Sequence, residues 1–257
     1  MALSKEQEEW LKKIPGYYFS DKGKVKKIPA ELFTEEFCVA AVDQTTWLME
    51  FLPDEKKTEA VCLAAVRRYG SALQHIPDAK KTKAVCLAAV RQDGLNLQCI
   101  PDALKTEEIC LEALRSQGDV GYQYCYGITP TALEYVPDAL KTEKICIEAM
   151  KHSVSTSYSR YGQTVSSSHP LLLVPEELKT EAVCLAAVQK DGFALRYVPE
   201  AKKTEAVCLA AVKQNGRVLE YHVPEAMKTE AFMAIVRSIS SAISSGSGGS
   251  GYGINLI

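Results

Sequence analysis

The sequence has few of the residues from which catalytic and metal centres are usually built. Its four histidines are scattered, without serine, aspartate, cysteine or asparagine partners at a recognisable spacing, so no nucleophile–base pair is indicated. It contains no Cys-x-x-Cys pair and no Cys/His cluster, which argues against a zinc site. We therefore expect no catalytic residues, no metal and no cofactor, and we predict that the protein is not an enzyme.

Long apolar runs and an excess of charge are also missing. No window approaches the roughly 18 apolar residues of a membrane span, and the opening SKEQEEWLKK is too charged for a secretory signal. Thirty basic and 32 acidic side chains leave a net charge of −2, whereas a nucleic-acid binder needs a basic surface. We expect neither nucleic acid nor membrane as a partner, and a cytoplasmic, reducing location. Export by a route without an N-terminal signal stays open.

What the chain does contain is a repeat of 24 residues, P-[DE]-x-x-K-T-E-x-V-C-L-x-A-V-[RK]-x-x-G-x-x-L-x-x-[VI]. In the copy after Pro53, Thr58 is a natural N-cap, and an apolar stripe follows with helical spacing. Gly70 is expected to end this helix as its C′ residue. A shorter helix and a Pro turn complete the unit. A fixed short period predicts an all-α solenoid of two-helix repeats with degenerate terminal caps.

The repeat positions also predict the domain organisation. We expect an N-terminal cap over residues 1–33, the solenoid over 34–228 and a C-terminal cap helix over 229–243. A Gly/Ser linker, 244–251, and an apolar peptide, 252–257, follow. Two adjacent repeats are longer, with Thr-to-Thr spacings of 36 and 38 residues, which places insertions near 119–130 and 153–168.

Most of the cysteines occupy one repeat position. Equivalent positions in stacked repeats lie about 8–10 Å apart, too far for a disulfide. We interpret them as reduced core residues that act as small hydrophobic side chains. The alternative is a thiol-based redox protein or enzyme. The cysteines at this position are Cys38, Cys62, Cys86, Cys110, Cys146, Cys184 and Cys208.

The positions A-V-x-x-x-G-x-x-L-x-x-[VI]-P-x-x-x-K-T resemble those of a bacterial helical-repeat family of unknown function, over most of residues 28–237. The resemblance implies the α-helical array. It implies no biochemical activity and supplies no catalytic residues, so function must be argued from the site.

The insertions are rich in Tyr, Ser and Gly, the composition of adaptable binding loops. A pair of longer helices with a Ser-rich loop is the alternative interpretation. If the loops bind a ligand, we expect peptide contacts from Tyr122, Tyr124, Tyr126, Tyr158, Tyr161 and Arg160.

Two further sets of residues, each at one equivalent position of the repeats, are candidate binding surfaces. The position before the Val/Ile-Pro pair is mostly aromatic, and it could be half-buried packing or the floor of a peptide groove; Tyr135, Tyr197 and Tyr221 are its predicted binding residues. Basic residues end the long helices, which helix dipoles explain, although capture of a ligand carboxylate is the alternative. They are Arg67, Arg91, Arg115, Lys151 and Lys213.

The C-terminal hexapeptide YGINLI is apolar at Tyr252, Ile254, Leu256 and Ile257, and the Gly/Ser octet before it resembles a flexible linker. A tethered peptide reaches an effective concentration in the millimolar range. We therefore predict a non-enzymatic scaffold that binds short apolar peptides or protein C-termini such as its own tail. The tail could bind in cis or to a neighbouring molecule. The remaining alternative is a structural repeat protein whose tail is only a tag.

Overall fold

The computed structural model describes residues 3–14, 27–116, 131–152 and 169–245, and within these ranges it contains helices and no strand. The prediction of an all-α solenoid is confirmed. The α-helices are α1 (Lys5–Lys13), α2 (Glu35–Gln44), α3 (Glu59–Arg68), α4 (Lys83–Gln92), α5 (Glu107–Arg115), α6 (Glu143–His152), α7 (Glu181–Lys190), α8 (Glu205–Gln214), α9 (Val218–Tyr221) and α10 (Glu230–Ser245).

The chain divides into two compact units, residues 1–118 and 119–257. In the first unit α2, α3, α4 and α5 pack side by side in sequence order. In the second unit α6, α7, α8 and α10 do the same. Each unit is therefore a stack in which a helix contacts mainly the repeats before and after it, as in other solenoids.

The shorter helix of most repeats is a 3₁₀-helix, where the sequence predicted only a helix. The spacing of three between buried Leu73 and Ile76 suits 3₁₀ geometry, which has three residues per turn. The last repeat has one extra residue and forms α9 instead. The 3₁₀-helices are Thr46–Glu50, Gly70–His75, Gly94–Cys99, Ala132–Tyr135, Pro170–Leu173 and Gly192–Tyr197.

Each Pro opens a further single 3₁₀ turn before the next long helix. These turns are Ala30–Leu32, Asp54–Lys56, Asp78–Lys80, Asp102–Leu104, Asp138–Leu140, Glu176–Leu178, Glu200–Lys202 and Glu225–Met227.

Gly70 follows the end of α3, as predicted, but the predicted reason for a glycine at this position was wrong. α3 ends on Tyr69 in an extended conformation, and Gly70 does not have the positive φ of a C′ glycine. Instead, a Cβ built on Gly70 would lie 2.8 Å from the carbonyl oxygen of Ala89 and 2.2 Å from Asn96 Nδ2. Glycine is needed here because the next repeat packs against the backbone.

The N-cap threonines also join neighbouring repeats. Thr82 Oγ1 accepts from the N–H of Val85 and donates to Glu59 of the preceding helix at 2.6 Å. Thr180 donates to Glu143 in the same way, across the long segment between α6 and α7. The repeat register is therefore the same on both sides of residues 153–168.

A row of buried lysines stabilises each repeat internally, which the sequence analysis did not explain. Lys81 Nζ lies 2.8 Å from Asp78 Oδ1 and donates to the carbonyl oxygen of Cys99, 2.7 Å away. This carbonyl is at the C-terminal end of the 3₁₀-helix of the same Pro-to-Val/Ile repeat, where backbone acceptors lack helical partners. Lys57 makes the corresponding pair of bonds to Asp54 and to the carbonyl of His75. The Lys of the K-T pair thus satisfies a backbone carbonyl near the end of its own repeat.

The terminal helices differ from the repeats where they face no further repeat. Gln7 of α1 is buried and donates to both Leu32 O and Thr34 Oγ1 at 3.0 Å. In α10, Arg237 stands at the position of the fully buried Val212 and pairs instead with Glu230. α10 runs to Ser245, two residues beyond the predicted end of the cap helix.

Candidate functional site

The position before the Val/Ile/Leu-Pro pair is half-buried in every repeat that the structure describes, which agrees with the packing interpretation of this row. One residue was assigned wrongly: because the last repeat is a residue longer, His222 and not Tyr221 occupies this position. The residues are Phe51, His75, Cys99, Tyr135, Leu173, Tyr197 and His222.

The residue immediately before this half-buried position faces solvent, and its side-chain type differs between the first four repeats and the last three. In the first four repeats it is polar. In the last three it is Leu172, Arg196 and Tyr221, with Leu172 52% and Tyr221 67% exposed. The polar residues at this position are Glu50, Gln74, Gln98 and Glu134, all exposed.

Leu172, Arg196 and Tyr221 form a row on adjacent elements of the second unit, which we call the exposed row. The helix Pro170–Leu173 contacts Gly192–Tyr197, which in turn contacts α9. Equivalent residues in stacked helices lie about 10 Å apart. The row therefore places the cation Arg196 between two apolar side chains, Leu172 on one side and Tyr221 on the other.

A groove of about 630 Å³ lies beside the first residue of this row. Its lining combines apolar side chains, among them Leu172 and Leu178, with the charged side chains of Asp138, Lys141 and Glu177. Lys141 is paired with Asp138 at 2.8 Å, so the groove carries no unpaired charge from this lysine. The exposed row and the groove together form a strip of mixed apolar and polar character with room for a side chain.

Aromatic contacts hold the middle of the exposed row in place. The rings of His169 and Tyr197 are stacked, with centroids 5.3 Å apart and planes inclined by 26°. The guanidinium carbon of Arg196 lies 4.5 Å from the Tyr197 ring centroid, and Arg196 also donates to the Tyr197 hydroxyl. On the next repeat His222 meets Phe193 edge to face.

His169 is a buried N-cap and not a general base. Its Nδ1 accepts from the N–H of Leu171 at 3.1 Å. Burial lowers the pKa of His169 to about 4; the nearby Asp191 opposes this shift, and Arg196 adds to it. His169 is therefore neutral near pH 7, as its role as a hydrogen-bond acceptor requires.

The cysteines at the common repeat position are fully buried, as predicted. Cys62 Sγ lies 3.7 Å from the carbonyl oxygen of Lys57, the distance of a weak S–H donor, and Cys184 repeats this contact with Lys179. Burial raises the pKa of the Cys38 and Cys110 thiols to about 11. Because the thiolate is the nucleophilic form, burial disfavours the reactive state of these two thiols.

The basic residues at the helix ends are partly paired. Arg91 Nε lies 2.8 Å from Glu112 Oε1, and Lys151 Nζ lies 3.6 Å from Glu148 Oε2. These pairs agree with the interpretation of the row as solvated structural charge. Exposed pairs of this kind contribute little to stability, typically below about 1 kcal/mol.

Of the predicted binding residues, the structure describes three. It brings Tyr197 and Tyr221 onto adjacent short helices, and it places Tyr135 two repeats before Tyr197, half-buried. The insertion and tail residues lie outside the described ranges, and their roles stay predictions. They are Tyr122, Tyr124, Tyr126, Tyr158, Arg160 and Tyr161 in the insertions, and Tyr252, Ile254, Leu256 and Ile257 in the tail.

Sequence reasoning missed Leu172 and Arg196. The signal was present, since both stand where earlier repeats have Glu or Gln at a solvent-facing position. An alignment of the repeats with one another shows this change of residue type.

Comparison with known proteins gives a match to a family model over two segments of the chain and no activity. Residues 82–141 and 180–227 match the model of a family described as a domain of unknown function, DUF4116. No curated protein and no solved structure gives a significant match. The match agrees with the resemblance to a repeat family of unknown function, and it assigns no role to any residue.

The described residues contain neither a membrane-spanning helix nor a metal-binding cluster. None of the helices in these ranges has both the length and the apolar character needed to cross a membrane. The same ranges contain no group of three or more His, Cys, Asp or Glu side chains placed to hold a metal ion.

Proposed function

We propose that the protein is a non-enzymatic scaffold that binds a short, apolar, extended peptide or protein C-terminus on its second unit. The observation that carries this proposal is the change of the solvent-facing position from Glu or Gln to Leu172 and Tyr221. The fold does not require a large apolar side chain at this position, because other repeats have the exposed Gln74 and Gln98 there. Exposed apolar patches rimmed by polar residues are typical of interaction sites.

The geometry favours an extended ligand. An extended chain rises about 3.3 Å per residue, so three residues of a peptide cover the spacing of about 10 Å between repeats. A peptide lying along the exposed row can thus place an apolar side chain on Leu172 or on Tyr221. The groove beside Leu172 offers a pocket for such a side chain.

The hexapeptide YGINLI is a suitable probe, and the chain's own tail must not compete with it. A full-length variant with Ile254→Ser, Leu256→Ser and Ile257→Ser keeps the length of the chain and removes the apolar tail. We expect this tail-substituted protein to bind free YGINLI in isothermal titration calorimetry. Binding should be weaker with the wild-type tail, since the tethered copy competes at millimolar effective concentration.

Replacement of Leu172 and Tyr221 by Gln should reduce this binding. The double variant Leu172→Gln, Tyr221→Gln restores the residue type found at Gln74 and Gln98, so the fold should be retained. Removal of two half-exposed apolar side chains from a contact costs about 1–3 kcal/mol. We therefore expect the affinity for YGINLI to fall by about 5-fold to 150-fold, measured by calorimetry in the tail-substituted protein.

The matched control is Tyr69→Gln, which removes an exposed aromatic side chain from the first unit. It should leave the affinity unchanged. Equal affinity of the double variant and its parent would show that the exposed row is not the binding surface. If the tail-substituted protein does not bind YGINLI at millimolar concentration, the tail is not a ligand and is only a tag.

A further inference from the structure

We infer that Arg196 is an anion-binding position, and that the anion it takes is the free C-terminal carboxylate of a peptide. This inference rests on the proposed function, because it assigns the polar contact of the same exposed row.

The guanidinium of Arg196 is held in place without being neutralised. The Tyr197 ring and hydroxyl fix its orientation, and the side chain remains exposed. Among the described residues no carboxylate pairs with it, whereas Arg91 and Arg237 pair with Glu112 and Glu230. A pre-oriented guanidinium with free N–H groups can hold a carboxylate through two parallel hydrogen bonds.

The surroundings of Arg196 also favour a negative ligand. Burial lowers the pKa of His222, and the charges of Arg196 and Lys203 lower it further. Lys203 is itself paired with Glu200 at 2.6 Å, whereas Arg196 has no carboxylate partner within the described part of the chain. A carboxylate bound to Arg196 would therefore offset the positive potential that acts on this imidazole.

The spacing of the exposed row accommodates a C-terminal carboxylate. With the carboxylate on Arg196, the residue three positions upstream lies about 10 Å away, on the neighbouring repeat. Both neighbours, Leu172 and Tyr221, are apolar. A ligand that fits has an apolar residue three positions before its free end, and in YGINLI that residue is Ile254.

The test compares YGINLI with a free carboxylate and YGINLI with a C-terminal amide, titrated into the tail-substituted protein. We expect the acid to bind at least tenfold more tightly than the amide. In the Arg196→Gln variant the two peptides should bind equally, at the level of the amide. The matched control is Arg68→Gln, since Arg68 also lies over a tyrosine, 5.7 Å from the ring centroid of Tyr69; it should keep the preference for the acid.

A second readout is the NMR titration of His222. The acid peptide should raise the pKa of His222 in the tail-substituted protein, and it should leave this pKa unchanged after Arg196→Gln. Equal binding of acid and amide, or a preference for the acid that survives Arg196→Gln, would overturn the inference while the proposed function stands. If neither peptide binds, the proposed function fails as well.

Discussion

The substitution Gly192→Ala is expected to destabilise the second unit by about 2–3 kcal/mol, because a methyl group has no space between the stacked repeats. A Cβ on Gly192 would lie 2.7 Å from the carbonyl oxygen of Ala211 and 2.8 Å from Gln214 Oε1. The same Oε1 accepts the N–H of Gly192 at 2.7 Å, so the added methyl also disturbs a hydrogen bond between repeats. Urea denaturation followed by circular dichroism measures the loss.

The control for this experiment is Gln189→Ala, at an exposed position of α7. Such surface changes usually stay within about 0.5 kcal/mol of the parent. A Gly192→Ala protein as stable as this control would show that the repeats do not approach each other as closely as the structure indicates.

The second large effect is a pH dependence that arises from His169. In the unfolded chain its pKa is near the ordinary histidine value of 6.5, and in the folded protein it is about 4. The unfolded state therefore binds the proton first as the pH falls. The stabilisation by neutral His169 is fully present above pH 6.5 and is lost as the pH falls towards 4. At 1.36 kcal/mol per pKa unit the loss is about 3 kcal/mol.

His169→Asn is the variant that isolates this effect, since an asparagine oxygen can accept the N–H of Leu171 and does not titrate. The carboxylates are common to both proteins, so their contribution cancels in the difference. Urea denaturation between pH 4 and 7.5 should show the wild type losing about 3 kcal/mol relative to His169→Asn as the pH falls. A difference that is constant with pH would mean that His169 is not buried as a neutral side chain.

The parts of the fold that depend on local spacing could be predicted from the sequence. A Thr before an apolar stripe is a local signal for the start of a helix, so Thr58 was identified as an N-cap without reference to packing. The burial of Cys62 followed from its place in the stripe. The helix type of Gly70–His75 was not predicted, because both an α-turn and a 3₁₀-turn bring Leu73 and Ile76 to one side.

Contacts between residues that are distant in the sequence could not be predicted from local spacing. The role of Gly70 depends on how closely the next repeat packs, and Lys57 donates to a carbonyl 18 residues further along the chain. The candidate site was found only in part. Tyr197 and Tyr221 were identified as aromatic, but one extra residue in the last repeat shifted the register and hid the equivalence of Tyr221 with Leu172.

Chemical-shift mapping is the most direct test of the central claim, that the exposed row of the second unit binds an apolar C-terminal peptide. The tail-substituted protein, labelled with ¹⁵N, is titrated with YGINLI. We predict that the largest amide shifts fall on the short helices of the last three repeats, around Leu172, Arg196 and Tyr221. Shifts confined to the first unit or to the long helices, or no shifts at millimolar peptide, would contradict the account.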